Sequence, residues 1–279
     1  MEIMPFMLFD SHMHTSLCKH AEGYLWEYVD KGHKMGLDGV VFTCHSPMPN
    51  RFSPQVRMEP DELWDYIALV GEAQDSAPAG FKVRLGLESD FFPGMEPWLE
   101  KLHGTADFHY IIGSIHWHLP EYQEAFFNGD MWEFQCQYFE HLAESAECGL
   151  FDCLGHPDLV KNASADDWNL ERLIPVIEKA LDRIAATGVA MELNTSGFHK
   201  IFPEMNPGSR ILALMKEREI PVVLGSDSHQ PDRVADKFKE ALEILETVGY
   251  ETISYFEDRQ RQEMGVSDAK SRLVEEASA

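Results

Sequence analysis

The chain is poor in positive charge: 23 Lys and Arg stand against 48 Asp and Glu over 279 residues, a formal net charge of −25. Such a surplus repels phosphate backbones and argues against a long nucleic-acid partner. No apolar run approaches the ~18 residues that a membrane-crossing helix needs, which argues against a membrane partner. The five cysteines (Cys18, Cys44, Cys136, Cys148, Cys153) form no CxxC pair and are odd in number. They read as reduced thiols of a cytoplasmic protein, not as a disulfide scaffold. The opening MEIMPFMLFD has no basic segment ahead of its apolar stretch, so it reads as a strand and not as a signal peptide. Internal repeats, low-complexity tracts and Gly/Ser linkers are absent, and 19 Gly and 15 Pro are ordinary numbers. The expectation is one domain over 1–279, with a short charged extension after about residue 264 to which no function is assigned. If the substrate is an anion, bound metal ions must draw it to so acidic a chain.

What the chain does have is a recurring grammar. A short apolar run ends in polar residues, and an amphipathic stretch follows. The runs are Phe6–Phe9, Val40–Thr43, Val83–Leu87, Tyr110–Gly113, Phe151–Leu154, Val189–Leu193 and Val222–Gly225. They read as buried parallel strands. Leu170, Leu173, Ile174, Ile177, Leu181 and Ile184 keep helical steps, and Gly188 supplies a stop. Pro60-Asp61 opens another helix, with Leu63, Trp64, Ile67 and Ala68 as its expected inward stripe. Leu212, Leu214 and Met215, then Ala241, Leu242 and Leu245, mark two more. Seven strands alternating with helices predict a closed or nearly closed α/β barrel, with a doubly wound open sheet as the alternative. The stretch from His116 to Gly129, rich in aromatics, reads as a long irregular loop: a binding lid or a packed local cap.

The ends of these runs carry the chemistry. They give Asp10-Ser11-His12-Met13-His14, Cys44-His45, Glu88, Ser114-Ile115-His116, Gly155-His156 and Ser226-Asp227-Ser228-His229. In a parallel barrel all strand C-termini open on one face, so residues far apart in sequence converge. His12 and His14, two apart at a strand end, project to one side. Glu88 has two oxygens with which to bridge two cations. Imidazole and carboxylate together suit zinc, manganese or iron. Taken singly, an HxH pair, a lone Glu or a GHPD turn is more often incidental; six of seven runs ending this way is not. His33, His103, His109 and His141 take structural or surface readings.

FDSHMHT, the isolated His20, TCHSP, GLESD, GSIH, LGHPD, ELNTSG and GSDSH, in this order, resemble the PHP (polymerase and histidinol phosphatase) family, most closely its stand-alone histidinol-phosphatase branch. The resemblance spans Asp10 to His229 and implies a distorted (β/α)7 barrel with two to three divalent metal ions. It implies one ion held by His12, His14, Glu88 and Asp227. A second would share Glu88 with His116 and His156, and a third would use His20, His45 and His229. His20 follows no strand and enters through the resemblance alone. Two departures stand out: Cys44 replaces a Glu frequent in relatives, and His199-Lys200 replaces Arg-Lys after TSG.

The activity so implied is hydrolysis of a small phosphorylated substrate, histidinol phosphate in that branch. Two ions would lower the pKa of a shared water, and a third, with nearby cations, would neutralise the phosphoryl oxygens. Lys161, Lys200, His199 and Arg233 are the candidate substrate-binding residues, and Glu88, Asp227 and His229 the catalytic ones. Asp227 or His229 would relay the proton to the leaving group. Asp10, Asp158 and Asn194 are expected to orient ligand imidazoles, and His118 to sit in the lid or behind the ligands. Three other readings compete: a phosphodiesterase acting on a small nucleotide, a non-catalytic metal-binding module, and an amidohydrolase-type barrel. The third His set and the seven-strand count weigh against the last.

Overall fold

The computed structural model describes residues 6–274. Met1 to Pro5, part of the expected first strand, lie outside the described residues. In chain order the elements are β1 (Phe9–Met13), α1 (Leu25–Lys34), β2 (Gly39–Phe42), α2 (Leu63–Ser76), β3 (Lys82–Asp90), α3 (Glu96–His103), β4 (Tyr110–Ser114), α4 (Pro120–Phe126), α5 (Met131–Glu147), β5 (Cys153–Leu154), α6 (Leu170–Thr187), β6 (Ala190–Asn194), α7 (Ser209–Glu217), β7 (Val222–Gly225), α8 (Phe238–Val248), β8 (Thr252–Glu257), β9 (Gln260–Gly265) and α9 (Val266–Arg272).

Strands β1 to β8 pair in parallel, each with its neighbour in sequence. The ring joins where Met13 bridges Ser228 in parallel. There the His14 N–H donates to Ser228 O at 2.8 Å and the Ser228 N–H to His12 O at 3.2 Å. These bonds bring the ends of β1 and β7, and hence HxH and SDSH, side by side. The barrel expected from the alternation is therefore present, in the distorted form that a join through so few bonds implies.

Local chemistry explains the clearest helix. Asn169 caps α6 by accepting the Arg172 N–H at 3.1 Å, and Gly188 ends it at φ 75°, a conformation that costs glycine little. Leu173, Ile177, Leu181 and Ile184 are buried along it, each worth about 1.5–3 kcal/mol of apolar transfer. In α2 the buried stripe is Leu63, Tyr66, Val70 and Ala73. Trp64, expected inward, is 63 % exposed, and Ala68 also faces out. The Tyr66 hydroxyl takes the inward place and donates to Phe42 O at 2.7 Å.

Two regions differ from expectation. Residues 252–265, for which the sequence suggests no element, form β8 and β9, and the charged extension expected after about residue 264 carries α9. The β8–β9 hairpin, antiparallel, runs beneath the N-terminal ends of the ring: Glu257 pairs with Arg84 at 2.8 Å and the Arg259 N–H donates to His109 O at 3.0 Å. Tyr110 stacks on Phe256 and Phe9 on Tyr255. This hairpin lies across the floor, opposite the mouth at which the ligand-bearing strands end. The stretch after His116 is the packed cap of the two readings, but it is not irregular throughout. Its centre is α4, where Tyr122 hydrogen-bonds His141 at 2.8 Å and Phe126 packs edge-on against the same ring at 4.4 Å.

Candidate metal centre

At the open mouth the scattered ligand types converge. β1 delivers His12 and His14, with ring centroids 5.2 Å apart. The turn after it delivers His20, and its ring stacks on His229 at 4.6 Å. β2 leads to His45, β3 carries Glu88, and the ends of β4, β5 and β7 supply His116, His156, Asp227 and His229. His20, His45, His116, His156, Asp227 and His229 border a cavity of about 590 Å³ whose wall also includes Arg57, Trp117, His118, Leu159, His199, Lys200 and Ile201.

Glu88 is the hub. Its Oε1 accepts from Ser114 Oγ at 2.6 Å and lies 3.0 Å from His156 Nε2 and 3.4 Å from His116 Nε2. Its Oε2 lies 2.8 Å from His45 Nδ1, 3.4 Å from His12 Nε2 and 3.6 Å from His14 Nε2. The two oxygens thus divide five imidazoles into two sets. Asp227 Oδ1 stands 3.2 Å from His14 Nε2 and 3.7 Å from His12 Nε2. Burial pushes the Glu88 carboxyl up, but His45, His12 and His116 outweigh it and hold the group well below the usual carboxylate range. Burial opposes ionisation of Asp227 too, yet His12, His14 and Lys200 hold it well down.

Acceptor-only partners fix several imidazoles. His12 Nδ1–H donates to Glu192 Oε1 (2.7 Å), His116 Nδ1–H to Asp90 Oδ1 (2.6 Å), His20 Nδ1–H to Cys18 O (2.7 Å) and His229 Nδ1–H to Asp227 O (3.0 Å). Each ring then presents Nε2 as its metal-binding atom. Burial lowers His116, but Asp90 and Glu88 prevail and raise it to about 10. Burial and His14 lower His229 to about 3. His156 and Asp227 hold left-handed backbone conformations, φ 29° and 51°, strained for non-glycine residues. Such strain gathers where a side chain must be aimed.

The remaining expected residues divide. Lys200 lines the cavity, its Nζ 3.8 Å from Asp227 Oδ2. His199 lines it as well while pairing with Asp236 at 2.7 Å. Arg233 pairs with the same Asp236 at 3.1 Å and borders a smaller adjoining hollow with Lys200 and His229. His118 stands on the wall beside His116, ring centroids 5.6 Å apart.

Lys161 is elsewhere: it is fully buried, and its ammonium is engaged by Asp158 Oδ2 (3.1 Å), Met205 O (2.6 Å) and Glu204 Oε2 (3.4 Å). Three oxygens match its three donors, so it ties the 158–162 turn to the 204–205 loop and has no donor left for a phosphate. Asp158, bound to Lys161, Asn206 and Gly208, orients no imidazole among the described residues. Nor does Asp10, which accepts the backbone N–H groups of Ser226 and Ala235 at 2.9 Å and so anchors the loop carrying Asp227 and His229. Burial pushes its carboxyl up to about 6. Asn194 acts one step removed, donating to Glu192 at 3.0 Å.

Four residues escaped the sequence reading: Glu192, Asp90, Ser114 and Arg57. Glu192 and Asp90 hold the imidazoles; both belong to quoted motifs, ELN and ESD, where a second carboxylate near a ligand was the available signal. Ser114 holds Glu88 and belongs to GSIH. Arg57 pairs with Asp90 at 2.6 Å and belongs to no pattern.

The donor set fits divalent transition ions. His12 Nε2, His14 Nε2, Glu88 Oε2 and His229 Nε2 are buried without a hydrogen-bond partner, a cost of about 1–3 kcal/mol each unless another species satisfies them. Donors bound tetrahedrally at ~2.0–2.1 Å stand about 3.3 Å from one another, and the separations of His12 and His14 from Glu88 and Asp227 run from 3.2 to 3.7 Å. Donors of His14, His45 and His229 also lie within 4.8 Å of each other, as do those of His14, Cys18 and Cys44.

Comparison with known proteins gives the family. Residues 10–196 match the PHP domain. A Deinococcus radiodurans protein named "Probable histidinol-phosphatase" is 38% identical over 255 residues, 89% of this chain and 96% of its own length. The Bacillus subtilis histidinol-phosphatase is 24% identical, covering 84% of this chain and 98% of its own. The solved structure of histidinol phosphate phosphatase from Lactococcus lactis, complexed with zinc, L-histidinol and phosphate, superposes with a TM-score of 0.75 at 20% identity over 92% of this chain and 99% of its own. A PHP match over most of the chain, joined to a relative this similar along nearly its full length, makes the chain a member of the PHP family.

Proposed function

We infer that the protein is a metal-dependent phosphomonoester hydrolase that converts histidinol phosphate and water to histidinol and phosphate. The observation that carries this reading is Glu88, whose two oxygens face two separate sets of imidazoles. The names of the relatives, and the ligands of the Lactococcus structure, support the substrate. Two to three divalent ions, zinc, manganese or iron, are proposed. His12, His14, Glu88 and Asp227 would hold one, Glu88, His116 and His156 another, and His20, His45 and His229 a third. Bound there, such ions lower the pKa of water and neutralise phosphoryl oxygens.

The chain's own residues do the rest. Glu192 and Asp90 keep His12 and His116 in the tautomer that turns Nε2 inward. Lys200 offers a cation to the phosphoryl group from the Asp227 side of the cavity. Asp227 Oδ2, which accepts from Ser196 Oγ at 3.0 Å, takes the proton of the attacking water and returns it to the leaving oxygen. His229, held neutral with its Nδ1–H on Asp227 O, serves as a ligand and not as that acid. Val56, Trp117, Leu119 and Ile201 form an apolar wall against which the leaving group rests.

The test is turnover of histidinol phosphate against a dinucleotide after reconstitution with zinc, manganese or iron. Release of phosphate from the monoester, with little from the dinucleotide, is expected. The reverse preference would contradict the reading.

A further inference from the structure

Arg57 is a buried cation with unused donors beside the metal ligands. Its side chain is 2 % exposed, yet it contributes to the wall of the cavity next to His45 and His116. Only Nη1 is engaged, donating to Ser46 O at 3.0 Å and Asp90 Oδ2 at 2.6 Å. Nε is buried with no partner, and Nη2 makes no hydrogen bond among the described residues. A guanidinium has five N–H donors in a rigid fork, so three of Arg57 are unspent. Phe52 lies against the guanidinium at 5.4 Å, and Asp90, itself fixed by His116 Nδ1, anchors one prong. The group is therefore held in place before any ligand arrives.

The surrounding charge indicates what the free donors are for. The chain carries a net charge of −25, so an anion entering this mouth meets few cations. Lys161 is consumed by Asp158, Glu204 and Met205. Lys200 stands on the Asp227 side. Arg57 stands by Asp90 and His116. Both line the one cavity, and a fork of parallel N–H groups matches two oxygens of a phosphoryl group.

We propose that Arg57 is a substrate-binding residue that takes the phosphoryl group, held by Asp90 so that its remaining N–H groups face the ligand. The role rests on the phosphomonoesterase reading above. It assigns Arg57, not Lys161, as the partner of Lys200 in phosphate binding.

The test compares wild type with Arg57→Lys and Arg57→Gln as full-length, metal-reconstituted proteins; whichever variant folds carries it. Lysine keeps a cation for Asp90 but lacks the fork. Metal content per chain, inhibition by inorganic phosphate, and KM and kcat for histidinol phosphate and p-nitrophenyl phosphate are measured. The expected result is metal content equal to wild type, a phosphate inhibition constant raised about tenfold or more, and KM raised together for both esters, because the phosphoryl group is what they share.

A phosphate constant within twofold of wild type overturns the proposal. So does a KM change confined to histidinol phosphate, which would place Arg57 against the leaving group. Loss of metal with an unchanged phosphate constant in the loaded fraction also overturns it, leaving Arg57 a positioning residue acting through Asp90 on His116. Calorimetry of inorganic phosphate binding to the metal-loaded proteins keeps this test separate from the activity reading. If wild type turns over neither ester, that reading fails, while weaker phosphate binding by the variants still supports Arg57.

Discussion

Glu192 Oε1 lies 2.7 Å from His12 Nδ1, with both side chains sealed from solvent. The other oxygen, Oε2, accepts the His156 backbone N–H at 2.8 Å and Asn194 Nδ2 at 3.0 Å. One carboxylate thus sets the tautomer of a ligand on β1 and the backbone of a ligand after β5. An amide accepts on one oxygen only, so Glu192→Gln must lose one of these sets. Metal affinity is expected to fall by about 10–100-fold, as for other groups that orient ligand imidazoles. Chelator competition measures it; affinity within twofold of wild type would remove Glu192 from the account.

A related test needs no change in charge. A Cβ on Gly225 would overlap Glu192 Oε1 and stand 2.7 Å from His12 Cβ. Gly225→Ala is expected to push Glu192 off His12 and to weaken metal binding in the same direction as Glu192→Gln, in the same competition assay.

How much of this was legible in sequence depends on what pairs with what. HxH at a strand end carries its own geometry, because alternation turns both rings one way. Apolar runs found the ring of strands but placed β1 too early: the strand runs on through Asp10 and His12, polar residues buried by their mutual contacts and invisible to a hydropathy pattern. The β8–β9 hairpin was missed because its turn, Asp258-Arg259, adopts left-handed conformations at φ 49° and 63° without a glycine or asparagine to announce them. Lys161 misled by following GHPD, since sequence nearness to a motif says nothing of the Asp158 and Met205 oxygens that absorb it. Arg57 sits between elements, and only the fold brings it to His116.

Lys161 gives a stability prediction. Lys161→Met leaves Asp158 buried without its cation and is expected to cost about 3–5 kcal/mol, read from denaturant midpoints. KM of the folded, metal-loaded fraction should stay within about threefold of wild type. A large rise in KM with little loss of stability would restore Lys161 as a phosphate ligand.

Protonation must be linked to metal loading. In the metal-free protein His116 is raised to about 10, against burial, by Asp90 and Glu88, and His14 to about 8, against burial, by Asp227 and Cys44. At pH 7 both carry an Nε2 proton that a metal ion must displace, so affinity rises with pH toward those values. His116 stabilises the metal-free fold fully below its unfolded pKa of about 6.5. That contribution is lost as pH rises through about 10. Calorimetry in two buffers of different ionisation enthalpy should show at least one proton released per chain on loading at pH 7. No release would contradict the protonation pattern.

Glu88→Gln, followed by metal analysis and by assay of histidinol-phosphate turnover, tests the centre most directly. Glutamine keeps the size of the side chain but lacks the charge and the second acceptor oxygen with which Glu88 faces its two sets of imidazoles. The account predicts the loss of at least one ion per chain and a fall in turnover greater than about 100-fold. Metal content and turnover both near wild type would contradict it.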